Sequence, residues 1–367
     1  MPKKLILCLD GTSNQFCRDN TNVVKIAALL DKNAADQMLY YQPGIGTIPP
    51  PTVFSRTLKW VLTRLDLAFA ILLKHHVQDA YRFLMRHYAP EDEIYVFGFS
   101  RGAYTARVLA GMVCKVGLLQ KGNEELVPFA WELYARSKND GEAREFRNTF
   151  SRRVRIAFLG LWDTVSSVRY AWKDRSFPYT FDNPIVSKIR HAIALDERRA
   201  YFRTNLWKEP PSSPNQDIKQ VWFPGVHCDV GGGYREAESG LSKIALEWMI
   251  DEVGTALRFH PKACDKMLPR QSTERFAAPD PAAPLHESLR GWWRIAELIP
   301  KRTMVKDERG RYVARWTLPR GRPRHVPQGA LLHESISARM RAVPTYQPPN
   351  LPGYPPDVSS GAVAEVG

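Results

Sequence analysis

The stretch Ile94-Tyr-Val-Phe-Gly-Phe-Ser-Arg-Gly-Ala-Tyr-Thr-Ala-Arg107 decides the fold. Ile94–Phe99 is a β-branched and aromatic run of strand length. From Ala103 to Val116 the apolar residues Val108, Leu109, Met112, Val113 and Val116 fall at helical spacing. A strand therefore passes directly into a helix, with Ser100 at the turn. Gly98 and Gly102 flank it as G-x-S-x-G, and a sharp strand-to-helix turn needs small neighbours because the serine backbone is strained there. Such an elbow lifts the hydroxyl out of the sheet and aims the next backbone N–H, that of Arg101, at a developing oxyanion beside the helix N-terminus. Glycines beside a serine also occur in ordinary turns; the strand before and the helix after give the pattern its weight.

Outward from the elbow, other short apolar runs end in polar loops. Leu5–Leu9 is a buried-strand run that empties into Asp10-Gly-Thr-Ser-Asn14. Helical spacing follows at Asn22–Asp31, a short strand at Gln37–Gln42, and a loop through Pro49-Pro-Pro51. Leu58–His87 is the longest helical candidate; its apolar block Leu67–Leu73 is too short to span a bilayer and suits a core helix or a lid. Lys121–Arg153 is charge-rich with a helical middle. Arg155–Leu161 is a further buried strand, delivering Trp162-Asp163-Thr164-Val165 at its end. His191–Leu195 suggests a helical turn ended by Asp196-Glu197-Arg198-Arg199. Val221–Val226 is the last clear strand, opening into His227-Cys-Asp-Val-Gly-Gly-Gly-Tyr234, and helical spacing resumes at Leu241–Leu257. Strands near 5, 37, 94, 155 and 221 alternating with helices imply an α/β fold, an open and mainly parallel sheet wrapped by helices. The order 2-1-3-4-5 is expected, because it sets the Asp10, Ser100, Asp163 and His227 loops along one edge.

Length and composition fit one large domain: 367 residues, 44% hydrophobic and 25% charged. The expected organisation is a core over 1–260 with a lid segment at 48–75, a basic Pro/Arg-rich extension over 261–345 that is helical or irregular, and a tail over 346–367. Five cysteines without CxxC or zinc-type spacing argue against a disulfide framework. Met1-Pro-Lys-Lys leads straight into a strand, with no signal-peptide core, so a cytoplasmic start is expected. Net charge is +14, and residues 301–324 are dense in Lys and Arg, with Asp307 and Glu308 the acids among them. The ordinary reading is a solvated face; peripheral contact with an anionic membrane is the functional one. Nucleic acid ranks last, since no helix-turn-helix, zinc-finger or RNP pattern is present.

Ser100, Asp163 and His227 follow the chain order of α/β-hydrolase triads, nucleophile, acid, base. A serine hydroxyl needs a base within hydrogen-bond reach, and that base needs a carboxylate to fix its tautomer. The expected oxyanion donors are the backbone N–H groups of Arg101 and of Gly11 or Thr12. Asp229, two residues from His227, competes as acid, and His333 and His286 compete as bases. His75, His76, His87, His191 and His260 lack strand-end contexts and suit surface or core positions. Asp10 fits an orienting or capping role. No cofactor or metal is expected, because Asp10, Asp163 and Asp229 lack ligand spacing.

Asp10-Gly-Thr with Asn14, Gly44-Ile-Gly-Thr47, Gly98 to Arg107, Trp162-Asp-Thr-Val165 and Trp222 to Tyr234 together resemble the DUF2235 family. That family includes the catalytic domain of Tle1-like type VI secretion phospholipase effectors. The likeness runs from residue 5 to about 255, with weaker echoes at His286–Trp292, His333–Ser335 and Tyr346–Leu351. It implies an α/β-hydrolase core and Ser100 as nucleophile, with the acid and base drawn from the motifs of Asp163 and His227. It further implies a lipid or other acyl ester as substrate, and, for an effector, export by a type VI system with an immunity or secretion partner. The chain departs from the family at Pro49–Arg64, glycine-free where a glycine-rich stretch is common, and it has little room for a membrane-inserting region. A non-catalytic hydrolase-like binding module is the alternative.

Overall fold

In a computed structural model of the chain, residues 2–11, 19–44, 56–136, 140–165, 177–211, 213–306, 312–351 and 363–365 are described. The first strand explains the architecture. β1 (Lys4–Leu9) is buried from Leu5 onward, Leu5 to Cys8 fully, which a strand achieves only when both faces of its sheet are covered. Leu5, Leu7 and Leu9 pack into one apolar cluster, and Ile6 and Cys8 into another on the opposite face.

Around β1 lie β2 (Gln37–Gln42) and β3 (Glu93–Phe99), both parallel to it. β4 (Ile156–Trp162), β5 (Val186–Ala194), β6 (Asp217–Phe223) and β7 (Leu331–His333) extend the sheet in parallel. β8 (Val363–Glu365) adds an antiparallel edge, giving the order β2-β1-β3-β4-β5-β6-β7-β8. On one face pack α2 (Arg56–His87), α3 (Arg101–Val116), α4 (Val127–Arg136) and α5 (Asp140–Phe150), through Val77, Tyr81, Leu109, Trp131 and Phe146 among others. On the other pack α1 (Asn22–Leu29) and α7 (Gly240–Val253), through Val23, Ile26, Leu246 and Met249. A short α6 (His227–Gly231) follows β6.

The five strands anticipated from sequence keep their anticipated order, but β5 stands between the fourth and the fifth. The expected helical turn at His191–Leu195 is the end of this strand. Arg190 and His191 make the segment look unsuited to a buried strand, yet they are 2% and 0% exposed. Arg190 is neutralised by Asp217 of β6 and Glu252 of α7, partners that only the tertiary fold supplies. Chain reversal between β1–β2 and β3 makes a topological switch point beside β1 and β3, where open α/β sheets bind ligands. The 48–55 part of the expected lid lies outside the described residues; beyond it, α2 begins at Arg56.

Candidate active site

Ser100 sits where β3 ends and α3 begins, with φ 59° and ψ −122°, a conformation rare for a residue with a side chain. The flanking glycines are a steric requirement. A Cβ on Gly102 would lie 2.2 Å from the carbonyl oxygen of Leu9, and one on Gly98 2.7 Å from Cα of Ala103. The Ser100 N–H donates to the carbonyl of Trp162 at 3.0 Å, which ties the elbow to the end of β4. Asp163, the next residue, is fully buried and also has positive φ, 38°.

From the end of β6, His227 points between these two. Its Nε2 lies 2.8 Å from Ser100 Oγ, and its Nδ1 lies 2.5 Å from Asp163 Oδ2. The ring is held between Phe99 and Phe202, with centroids at 4.6 and 4.7 Å. Burial lowers the pKa of His227 below the ordinary histidine value, while Asp163 works in the opposite direction. Burial also pushes the Asp163 carboxyl upward, but the Arg324 guanidinium and His227 outweigh it and hold Asp163 well below the usual carboxylate range. The consistent protonation state is an ionised Asp163 accepting Nδ1–H of neutral His227, whose Nε2 accepts the Ser100 hydroxyl proton.

The alternatives have other partners. Asp229 accepts the Val226 N–H at 3.0 Å and lies 2.6 Å from Nδ1 of His286, whose Nε2 faces Glu238. His333 stacks on Phe223 and pairs with Ser335. Asp10 accepts the hydroxyls of Thr21 and Tyr41, and Thr21 in turn caps α1 through the Val24 N–H. The Gly11 N–H donates to Asp10 Oδ1 at 2.7 Å; Thr12 lies outside the described residues. Arg101 opens α3, where backbone N–H groups have no intrahelical acceptor. Among the described residues, no group of three or more His, Cys, Asp or Glu is gathered to hold a metal ion.

Four residues about the site carry no expected role in the sequence reading. Glu197, bound to Arg199 through both carboxylate oxygens, accepts the backbone N–H of His227 at 3.3 Å. Arg199 itself covers the Phe202 ring at 3.7 Å. His191 Nε2 accepts the Thr164 N–H at 3.1 Å, directly behind Asp163. Arg324, placed by sequence in a solvated basic face, is instead buried and hydrogen-bonded to Asp163. The acid-base run Glu197–Arg199 was a readable signal; Arg324 lies 161 residues from its partner and offered none.

A mainly parallel sheet with helices on both faces, and a serine on a strained strand-to-helix turn facing a histidine and a buried aspartate, defines an α/β-hydrolase-like protein. The family model described as T6SS, Phospholipase effector Tle1-like, catalytic domain matches residues 3–252, and the chain belongs to that family. An uncharacterized protein of Saccharomyces cerevisiae is 43% identical over 230 residues, 58% of this chain and 34% of its own length, so the chain spans about a third of that relative. Two solved structures are similar at lower level. One is an uncharacterized protein from Pseudomonas aeruginosa (21% identity, 76% of this chain and 49% of that one, TM-score 0.41). The other is the Tle1 effector bound to the VgrG spike from the type 6 secretion system (19%, 65% and 52%, TM-score 0.38). No helix among the described residues is long and apolar enough to cross a membrane.

Proposed function

We propose that the protein is a serine hydrolase that cleaves carboxylic esters, with a phospholipid or another lipid acyl ester as substrate. The observation that carries this reading is the unbroken hydrogen-bonded chain from Ser100 through His227 to Asp163, at 2.8 and 2.5 Å. Ser100 Oγ attacks the ester carbonyl carbon while its proton passes to Nε2 of His227, and Asp163 stabilises the imidazolium. The Arg101 N–H meets the oxyanion; Gly11 serves as second donor only after leaving Asp10. The imidazolium then returns its proton to the departing alcohol, leaving an acyl group on Ser100, and water releases it by the same steps in reverse.

Membership in the Tle1-like family supports a lipid substrate, and the net charge of +14 favours anionic head groups at a membrane surface. Export by a type VI system, with a spike or immunity protein as partner, belongs to the same proposal. The test compares acyl release from anionic phospholipid vesicles and from a short aryl ester by wild type and Ser100→Ala. At least a ~10⁴-fold loss is expected in the variant. Equal activity in both proteins sinks the mechanism. A wild type that neither turns over ester nor reacts with a fluorophosphonate is a hydrolase-like binding module.

A further inference from the structure

From the segment beyond residue 252, outside the family-matched region, Arg324 reaches the Asp163 carboxylate itself. Arg324 is 8% exposed, and its guanidinium meets Asp163 as a fork: Nη1 to Oδ1 at 2.5 Å, Nη2 to Oδ2 at 3.0 Å. Nη1 also donates to the carbonyl of Ala194 at 2.8 Å, and Nη2 to that of Phe202. Behind it, Asn350 Nδ2 donates to the carbonyls of both Arg324 and Leu195, fixing the backbone that carries the guanidinium to the end of β5. With the Ala194 N–H on Oδ1 and His227 on Oδ2, each oxygen of Asp163 receives two donors.

We propose that Arg324 is a positioning residue that completes the site: its planar fork fixes the plane of the Asp163 carboxylate and tempers the pull of that carboxylate on His227. The inference rests on the serine hydrolase reading for its catalytic meaning, though not for its geometry. A buried carboxylate facing imidazole alone holds the imidazolium tightly and raises the pH at which the pair takes up a proton. A guanidinium on the same carboxylate opposes that gain. Among the described residues, the other charged groups facing His227 are Glu197 and Arg199, themselves paired, with His191 and Cys228 close to Asp163. In this set Arg324 is the cation bound directly to Asp163. Only arginine supplies two parallel N–H groups here; a lysine supplies the charge without the fork.

The test titrates the His227 imidazole by ¹H–¹⁵N NMR in full-length wild type, Arg324→Gln and Arg324→Lys, beside the pH profile of kcat/KM. In Arg324→Gln, His227 is expected to take up its proton about one pH unit higher than in wild type, with the acid limb of kcat/KM moving equally. In Arg324→Lys the titration stays near that of wild type, while kcat/KM falls by about 100-fold through misplacement of the acid. An unchanged His227 titration in Arg324→Gln overturns the proposal. Should that variant not fold, wild-type kcat/KM in Arg324→Lys overturns it equally. Failure of the hydrolase reading is registered separately, by absent fluorophosphonate labelling of wild type, and leaves the NMR titration decisive for Arg324.

Discussion

At Ser100, His227 and Asp163, each side chain is set by a different physical device. Ser100 is held by backbone strain, Asp163 by four donors on two oxygens, and His227 by aromatic rings on two sides. Because burial lowers the His227 pKa, the imidazole stays neutral, and able to accept a proton, below the ordinary histidine value of 6.5. Under the proposed mechanism, activity is expected to fall as pH drops through the lowered pKa, with the midpoint of the acid limb of kcat/KM below 6.5. His333→Gln should leave that profile intact, since His333 faces Phe223 and Ser335. A profile that loses its acid limb in His333→Gln would reassign the base. Sequence named the three residues and kept Asp229, His286 and His333 as competitors. Only distances separate them, because Asp229 and His227 are two residues apart yet turn toward different partners.

Among the elements, the elbow joining β3 to α3 is the one whose geometry sequence reports most directly. The G-x-S-x-G pattern is the imprint of a close approach: α3 starts so near β1 that a side chain at Gly102 would meet the carbonyls of Leu9 and Asp10. Gly102→Ala is expected to destabilise the fold by about 3 kcal/mol, read as a lower denaturation midpoint, and to reduce fluorophosphonate labelling in the remaining folded protein. Wild-type stability with normal labelling would show that the elbow has more room than the backbone indicates. β5 is the contrary case. Its alanines and interspersed charges suit a helical turn locally, and it becomes a strand because Asp217, Glu252, Thr164 and Arg107 partner its polar side chains. Those partners lie on three other elements and in the loop after β4, so no local window contains the reason.

For the molecule as a whole, described residues beyond 260 pack into the same architecture as the core. Leu332 of β7 is fully buried beside Trp222 and Ile193, and Tyr346 donates its hydroxyl to Asp196 at 2.9 Å. His286, Ser288 and Arg324 reach Asp229, Glu197 and Asp163, so the loops that follow β4, β5 and β6 are all backed from this segment. One cooperative unfolding transition is expected for the full chain. Leu332→Ala should lower that same transition by about 2–5 kcal/mol, followed by tryptophan fluorescence and far-UV circular dichroism together. Two separated transitions, with only the weaker one moved by the substitution, would make the extension an independent unit.

By itself the sequence determined the strand-to-helix elbow at Ser100, the parallel α/β class and the order of its five clearest strands. It also put Ser100, Asp163 and His227 forward in triad order, with Asp229, His286 and His333 left open as competitors. These are local or periodic properties: apolar runs of strand length, helical spacing, and glycines demanded by close backbone approach. Tertiary structure decided which aspartate faces His227, that 186–194 is a strand, and that Arg324 leaves the basic surface to bind Asp163. In each case the deciding energy is the pairing of a buried polar or charged group with a partner distant in sequence, and such pairings leave no local periodicity to read.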